Sequence, residues 1–178
     1  MIRDVVIHLL NEQPLVADLS AAGHRALVFS QFTKHLALVA QALRAAGRSV
    51  SELDGQVPLP ERQRRVEAFQ AGSGGDVFLI SLKAGGTGLN LTAADYVIHL
   101  DPWWNPAVED QASDRAHRIG QDRPVTIYRL IAEGTIEQQI LSLHQQKREL
   151  VDALLAGTEV AGKMTAKQLA ALIRGPAH

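Results

Sequence analysis

The sequence predicts an α/β fold: a parallel β-sheet with helices on both faces, plus a helical extension at the C-terminal end. Five short runs rich in β-branched or aromatic residues have the pattern of strands buried on both faces, at 25–30, 49–53, 77–81, 96–100 and 125–130. Segments with helical periodicity lie between these runs. A strand-helix-strand order of this kind is typical of a parallel sheet whose crossover helices cover it.

The helical segments have recognisable ends. KHLALVAQALRAAG stops at Gly47, while PERQRRVEAFQAG carries Pro60 in its first turn and stops at Gly72. The stretch NPAVEDQASDRAHRIG has Pro106 near its start and Gly120 at its end. We therefore predict a helix of about three to four turns there.

After the last predicted strand the pattern becomes helical. Thr135 stands three residues before Gln138, as in a capping box. Apolar residues then follow along one side of the predicted helix: Ile136, Ile140, Leu143, Leu150 and Leu154. We predict one lobe over 1–134 with its core at 25–134, a long helix over 135–157, and a linker with a short terminal helix over 158–178.

Composition limits the function without identifying it. The chain has 178 residues, of which 46% are hydrophobic and 21% charged, as in one ordinary globular domain. The net charge of −1 and the pI near 6.7 mean that any contact with a polyanion needs a local patch. Cysteine is absent, which excludes a disulfide framework and thiolate metal sites. No apolar run reaches the roughly 20 residues of a membrane helix.

A glycine-rich loop, SLKAGGTGLNL, directly follows the third predicted strand. Ligands gather at such strand ends in parallel sheets, and glycine lets backbone N–H groups approach a phosphate closely. The loop is not a Walker P-loop, because Lys83 precedes the glycines, and Leu91 stands where a dinucleotide fingerprint needs glycine. From these residues alone, a phosphate-facing loop and a plain tight turn are equally good interpretations.

The stretch EDQASDRAHRIGQDRP is rich in charge. Gln111, Arg115 and Arg118 are spaced four and three apart, which would place them on one face of the predicted helix. Two guanidinium groups pointing the same way suit a polyanion such as a nucleoside triphosphate. A solvent-exposed face with salt bridges to Asp110 and Asp114 would also explain the pattern. Spacing alone does not decide between these interpretations.

Taken together, three parts of the chain resemble the second RecA-like lobe of the Swi/Snf family of DNA-dependent ATPases. They are LVFSQFTKHL, LDGQVPLPERQRRVEAFQ, and the run from FLISLKAGGTGLNL to EGTIEQQIL. The most specific piece, DPWWNPAVEDQASDRAHRIGQ, is similar to the family's sixth helicase motif and the segment before it. The resemblance covers about 25–155 and implies a RecA-like fold, in which the helix from Thr135 packs back across the lobes as a brace. A terminal helix that only covers the core would explain the same pattern.

The resemblance implies roles for individual residues. Arg115 and Arg118 match arginine fingers that reach the γ-phosphate of ATP, and we assign both as catalytic. The residues assigned to the nucleotide cleft are Gln111, Asp114, Gly86 and Gly88. The residues assigned to DNA binding are Ser30, Gln31, Arg62, Lys83, Thr87, Asn90 and Trp104. We expect no protein-bound metal site in this lobe.

Two tryptophans and two histidines have competing interpretations. A tryptophan pair between a strand and a helix is typical of a packed corner, and we predict packing for Trp103. In the family the residue matching Trp104 faces DNA. No second histidine or carboxylate stands at convincing ligand spacing from His117, which favours a hydrogen-bonding role. We predict a structural role for His99 at its strand end.

The function implied is that of a second motor lobe in an ATP-driven translocase on double-stranded DNA, which remodels a protein complex bound there. ATP and Mg²⁺ would be held mainly by an N-terminal RecA-like lobe of the same polypeptide, since these residues contain neither a Gly-Lys-Thr loop nor Asp-Glu-x-His. We therefore expect this lobe alone to be inactive. The alternatives are a stand-alone DNA- or protein-binding module and an RNA helicase lobe.

Compact loops between the motifs suggest a bacterial or archaeal protein. It would then lie in the cytoplasm with the nucleoid, whereas a eukaryotic member would be nuclear. We expect no membrane partner.

Overall fold

The computed structural model describes residues 19, 21–85, 88–116, 124–132 and 135–155, with side chains up to 149 in the last helix. Within them, a five-stranded parallel sheet has the order β2-β3-β1-β4-β5. The strands are β1 Ala26–Ser30, β2 Val50–Leu53, β3 Val77–Ser81, β4 Tyr96–His99 and β5 Thr126–Arg129. Each lies within its predicted run, so the predicted parallel sheet is confirmed.

Five helices connect or follow these strands in the described part of the chain. They are α1 Thr33–Ala45, α2 Leu59–Ala71, α3 Leu82–Gly85, α4 Pro106–Ser113 and α5 Ile136–Leu155. Pro60 lies in the first turn of α2, and Gly72 ends that helix with a φ of 80°. Helix α2 thus begins and ends as the proline and glycine signals predict.

The hydrophobic core lies in two layers, because successive side chains of a strand point to opposite faces of the sheet. On one face, Leu36 and Leu43 of α1 pack against Val28. On the other face, Phe69 of α2 and Ala112 of α4 share a cluster with strand residues that include Leu27, Phe29, Phe78, Ile80 and Val97. The sheet therefore carries helices on both faces, as predicted.

Helix α4 is shorter than predicted. It ends at Ser113, and the next residues form a tight turn in which Arg115 N–H donates to Ala112 O at 3.2 Å and Ala116 N–H to Ser113 O at 3.0 Å. The Arg115 carbonyl accepts from Leu91 N–H at 3.0 Å, a donor outside the helix. The prediction of an unbroken helix from Pro106 to Gly120 was therefore wrong.

Helix α5 begins where it was predicted. The Thr135 hydroxyl accepts from Glu137 N–H at 3.3 Å, and the Glu137 carboxylate accepts from Ala132 N–H at 2.8 Å. Glu137 thus takes part in the cap, while Gln138 N–H donates to the Thr135 carbonyl at 3.3 Å. Ile136, the first apolar residue of α5, is 69% exposed. The predicted linker and terminal helix over 158–178 lie outside the described residues.

Gly75 occupies a turn just before β3 that excludes a side chain. Its φ is 90°, and an added Cβ would lie 2.5 Å from the Ser49 carbonyl oxygen. We expect Gly75→Ala to lower the free energy of unfolding by about 3 kcal/mol, because left-handed strain and a backbone clash add together. Urea denaturation of the chain measures this.

The matched control is Gly47→Ala. Gly47 has a similar φ of 74°, but an added Cβ there would meet nothing within 4 Å. It should lose only about 1 kcal/mol. Equal losses at the two positions would show that the clash with Ser49 does not affect the free energy of unfolding.

Candidate functional site

The carboxyl ends of β1, β3 and β4 meet at one edge of the sheet, and most of the predicted site segments follow them. Gln31 comes directly after β1, α3 directly after β3, and Asp101 two residues after β4. In open α/β sheets this edge is where ligands bind. The topology therefore brings the predicted nucleotide and DNA segments to the same end of the lobe.

Asp101 joins the end of β1 to the segment after β4. This side chain is 3% exposed, and it accepts the Ser30 hydroxyl and, at 3.0 Å, Gln31 N–H. Its carboxylate also lies 3.7 Å from His35 Nδ1 in α1. Ser30 is fully buried, and its hydroxyl also accepts Phe32 N–H at 3.0 Å. Asp101 thus fixes the loop that carries Gln31.

Of the two residues predicted to bind DNA in this loop, only Gln31 is partly exposed. Ser30 is committed to Asp101 in this structure. Its DNA contact stays a prediction, and its visible role is to hold the loop.

The glycine-rich loop begins as a short helix anchored in the core. Leu82, Ala84 and Leu91 are buried, and all three belong to the cluster that contains Ala112 of α4. Lys83, Gly88 and Asn90 are exposed, and Gly88 has a φ of 61°. Gly86 and Thr87 lie outside the described residues.

Arg62 connects two loops at this edge. Its guanidinium donates from Nη1 to the Ala84 carbonyl in α3 and from Nη2 to the Asp54 carbonyl after β2, both at 3.4 Å. The side chain is half-buried. Arg62 therefore supports the start of the glycine-rich loop, and its predicted DNA contact stays a prediction.

The residues of the predicted arginine face differ in their surroundings. Gln111 and Asp114 are exposed, whereas Arg115 is only 5% exposed. Because α4 ends at Ser113 and Arg115 follows in a turn, helical spacing alone does not place Gln111 and Arg115 on one face. The shared face stays a prediction. Arg118 and His117 lie outside the described residues.

The tryptophan pair forms a corner between β4 and α4. Trp103 packs against the core cluster on the α2 side of the sheet, so its predicted packing is confirmed. The Trp103 carbonyl faces His144 Nε2 of α5, and Lys147 Nζ lies 5.2 Å from the centroid of the Trp104 ring. Helix α5 therefore packs back onto this corner. A DNA contact by Trp104 stays a prediction.

Glu109 in the first turn of α4 is a functional candidate that the sequence patterns did not reveal. It is fully buried and accepts Trp103 N–H at 2.7 Å and Arg129 Nε at 2.9 Å. The next residue, Asp110, pairs with Arg148 at 2.8 Å and with Arg129 at 3.5 Å. In the sequence, Glu109 shows only as an acidic residue near a helix start, a common feature with an ordinary explanation.

His99, at the end of β4, is a buried neutral residue, as its predicted structural role requires. It is 1% exposed, its Nε2 lies 3.0 Å from Ser113 Oγ, and its ring stacks on Phe29. Burial lowers the pKa of His99 to about 4, although the negative charge of Glu109 acts in the opposite direction.

This shift predicts a pH-dependent stability. Because the folded pKa near 4 lies below the ordinary 6.5, the unfolded chain takes up the proton first, so stability is lost as pH falls from about 6.5 to about 4. Between about pH 7.5 and pH 5, the parent should lose about 2 kcal/mol more unfolding free energy than His99→Gln. Denaturant titrations at both pH values measure this difference, and equal losses would contradict the assignment.

Metal and membrane features are absent from the part of the chain that the structure describes. No group of three or more histidine, aspartate or glutamate side chains there could hold a metal ion. None of the helices in these ranges is long and apolar enough to cross a membrane.

Comparison with known proteins identifies the family. Residues 4–120 match the family model described as the helicase conserved C-terminal domain. The chain is 45% identical over 159 residues to Helicase SWR1 of Debaryomyces hansenii, an alignment that covers 87% of this chain and 10% of that protein. It is 44% identical over 143 residues to the chromatin-remodeling ATPase INO80 of Mus musculus, covering 80% of this chain and 9% of that protein.

A solved structure agrees with these sequence matches. The crystal structure of the C-terminal part of the Fun30 ATPase domain superposes with a TM-score of 0.67 at 35% identity, covering 70% of this chain and 40% of that chain. The chain spans about a tenth of the length of the two curated relatives named above. The chain belongs to the helicase C-terminal domain family, as a RecA-like lobe of the Swi/Snf type.

Proposed function

We propose that this chain is the second motor lobe of an ATP-driven translocase on double-stranded DNA, and that it completes an ATPase site shared with a first lobe. Family membership supports the motor class. The observation that carries the proposal within the fold is the hydrogen bond from Leu91 N–H to the Arg115 carbonyl at 3.0 Å. It joins the glycine-rich loop, proposed to face DNA, to the turn that leads into the proposed arginine fingers.

This hydrogen bond lies over a packed core. Leu82 and Leu91 of the loop share one buried cluster with Ala112 and Ala116 on either side of the arginine turn. Close-packed groups move together, because separating them would open a cavity. A shift of the loop on DNA would therefore move the Arg115 turn with it, which is the coupling that a DNA-stimulated ATPase requires.

We assign part of the ATP site to the turn at Arg115. The turn at Arg115 is hydrogen-bonded to the glycine-rich loop that follows β3. An arginine that reaches a transferring phosphoryl group stabilises its charge, which is worth about 10³ to 10⁵ in rate. The 178 residues contain neither a Gly-Lys-Thr loop nor Asp-Glu-x-His. We infer that the first lobe holds Mg²⁺ and most of the phosphate contacts, and that this lobe is inactive without it.

The DNA contacts would come from exposed polar groups at the same edge. Gln31, Lys83 and Asn90 are exposed or partly exposed, and Trp104 is partly exposed at the corner before α4. With a net charge of −1, the isolated lobe should bind DNA weakly, since phosphate contacts supply most non-specific affinity. A DNA-bound protein complex is the proposed target, and the protein would lie with the genome, in the nucleoid or the nucleus.

Replacing Trp104 tests the DNA side of the proposal. In a polypeptide that joins this lobe to its first lobe, Trp104→Ala should raise the duplex DNA concentration for half-maximal ATPase stimulation by about fivefold to tenfold, a loss of about 1 kcal/mol. It should weaken DNA-stimulated turnover more than turnover without DNA.

The control is Tyr128→Ala, which removes another partly exposed aromatic ring, on β5. It should leave the DNA response unchanged. If the Trp104 variant responds to DNA like the parent, Trp104 only packs the corner.

A further inference from the structure

Glu109 is a buried carboxylate whose two oxygens bind groups from two other elements. Oε1 accepts Trp103 N–H at 2.7 Å, and Oε2 accepts Arg129 Nε of β5 at 2.9 Å. The side chain itself belongs to α4 and is fully buried. One carboxylate therefore holds the tryptophan corner, α4 and β5 together.

Burying such a charge is costly, so a carboxylate here needs all of its partners. An ion pair in a low-dielectric interior often adds little net stability compared with apolar residues of similar volume. Such a pair instead orients its partners, because both carboxylate oxygens need a donor at once and each hydrogen bond has a preferred direction. The Glu109 contacts are thus better suited to defining a position than to raising stability.

The position defined is that of Trp104 relative to the arginine turn. Trp103 N–H is one peptide unit before Trp104, while Glu109 lies in a helix of eight residues that ends at Ser113, next to the turn of Arg115. At the far end of that helix, Ser113 Oγ is held by His99 Nε2 at 3.0 Å. Both ends of α4 are therefore fastened by buried polar contacts.

We propose that Glu109, held by Arg129, is a positioning residue that fixes the Trp103–Trp104 corner to α4. It would thereby set where DNA bound at Trp104 lies relative to the turn at Arg115. The part of this inference that concerns DNA and ATP rests on the proposed function. The claim that Glu109 holds the corner to α4 does not rest on the proposed function, and it can be tested without DNA or ATP.

The chain provides a direct probe, because its only two tryptophans are Trp103 and Trp104. Tryptophan fluorescence of the 178-residue chain therefore reports on this corner alone. Glu109→Gln leaves a single, neutral acceptor oxygen, so either Trp103 N–H or Arg129 Nε faces an amide NH₂ group instead. We expect quenching by acrylamide to rise by about twofold as the corner opens to solvent.

The matched control is Glu61→Gln in α2. Glu61 likewise accepts two hydrogen bonds, here from Arg64 and Arg65, and these lower the pKa of Glu61 to about 2. The control thus removes a comparable charge from a helix on a different part of the surface, and its fluorescence should match the parent's. A folded Glu109→Gln chain with the parent's emission and quenching would overturn the proposal.

If Glu109→Gln does not fold, Arg129→Lys tests the same contact. Lysine keeps the positive charge but lacks the guanidinium fork that reaches both Glu109 and Asp110. Quenching should again rise, and a folded Arg129→Lys chain that matches the parent would overturn the proposal in the same way.

The functional readout uses the polypeptide with both lobes, at a temperature where parent and variant are fully folded. There Glu109→Gln should raise the DNA concentration for half-maximal stimulation by about tenfold, with a smaller change in maximal turnover. A role confined to stability would not move this value. Changed fluorescence with an unchanged DNA response would mean that Glu109 holds the corner but does not position bound DNA. A parent protein without DNA-stimulated turnover would refute the proposed function itself.

Discussion

Replacing Arg118 with alanine, in a polypeptide that joins this lobe to its first lobe, should reduce DNA-stimulated ATP turnover by about 10³-fold or more. The reason is that a finger acts on charge that develops only in the transition state, so its loss affects kcat rather than the binding of either ligand. DNA binding should stay close to the parent's. Steady-state turnover and DNA titrations on the same preparation measure the two effects.

Arg64→Ala provides the matched control. Arg64 is a 77% exposed arginine of α2 whose partner is Glu61, so its loss removes the same charge from a solvated surface. Its turnover should equal the parent's. Equal losses of DNA binding and turnover in Arg118→Ala would instead make Arg118 a DNA contact. Arg115→Ala is a less selective test, because Arg115 is only 5% exposed and its replacement also affects packing.

Asp101→Ala should produce the largest loss of stability among single replacements at this edge, about 3 kcal/mol or more in unfolding free energy. It removes the acceptor of the Ser30 hydroxyl and of Gln31 N–H, both of which lie at the end of β1. Chemical denaturation of the 178-residue chain measures the loss.

Two further variants separate the hydrogen bonds from the loss of a charge. Asp101→Asn keeps one acceptor oxygen and should lose about half as much. Asp76→Ala removes an exposed carboxylate before β3 and should stay within about 0.5 kcal/mol of the parent. If Asp101→Ala is no less stable than Asp76→Ala, the end of β1 is held by other contacts.

The fold could be predicted because its signals are local. Each of the five strands lies in a short run rich in β-branched or aromatic residues. The first two crossovers contain helical patterns that stop at Gly47 and Gly72. The end of α4 could not be predicted in this way. Two residues after that end, the Arg115 carbonyl accepts from Leu91 N–H. Leu91 lies 24 residues earlier in the chain, so no local pattern contains that partner.

In the candidate site, too, local patterns could be predicted, whereas contacts between distant residues could not. Motif spacing identified the segments that meet at the carboxyl edge of the sheet, since each segment follows a predicted strand. It did not show that Ser30 is fully buried against Asp101, nor that Glu109 bridges Trp103 and Arg129. These are contacts between residues distant in sequence, and the burial that makes them strong is set by the assembled fold.

The central claim is that this chain is one half of a two-lobe motor, and ATP turnover tests it most directly. Turnover should be measured with and without duplex DNA for this chain alone, for a first lobe that carries a Gly-Lys-Thr loop, and for their mixture. We expect turnover that is stimulated by DNA only in the mixture and lost with Arg118→Ala. Turnover by this chain alone, or a mixture no more active than the first lobe, would contradict the account.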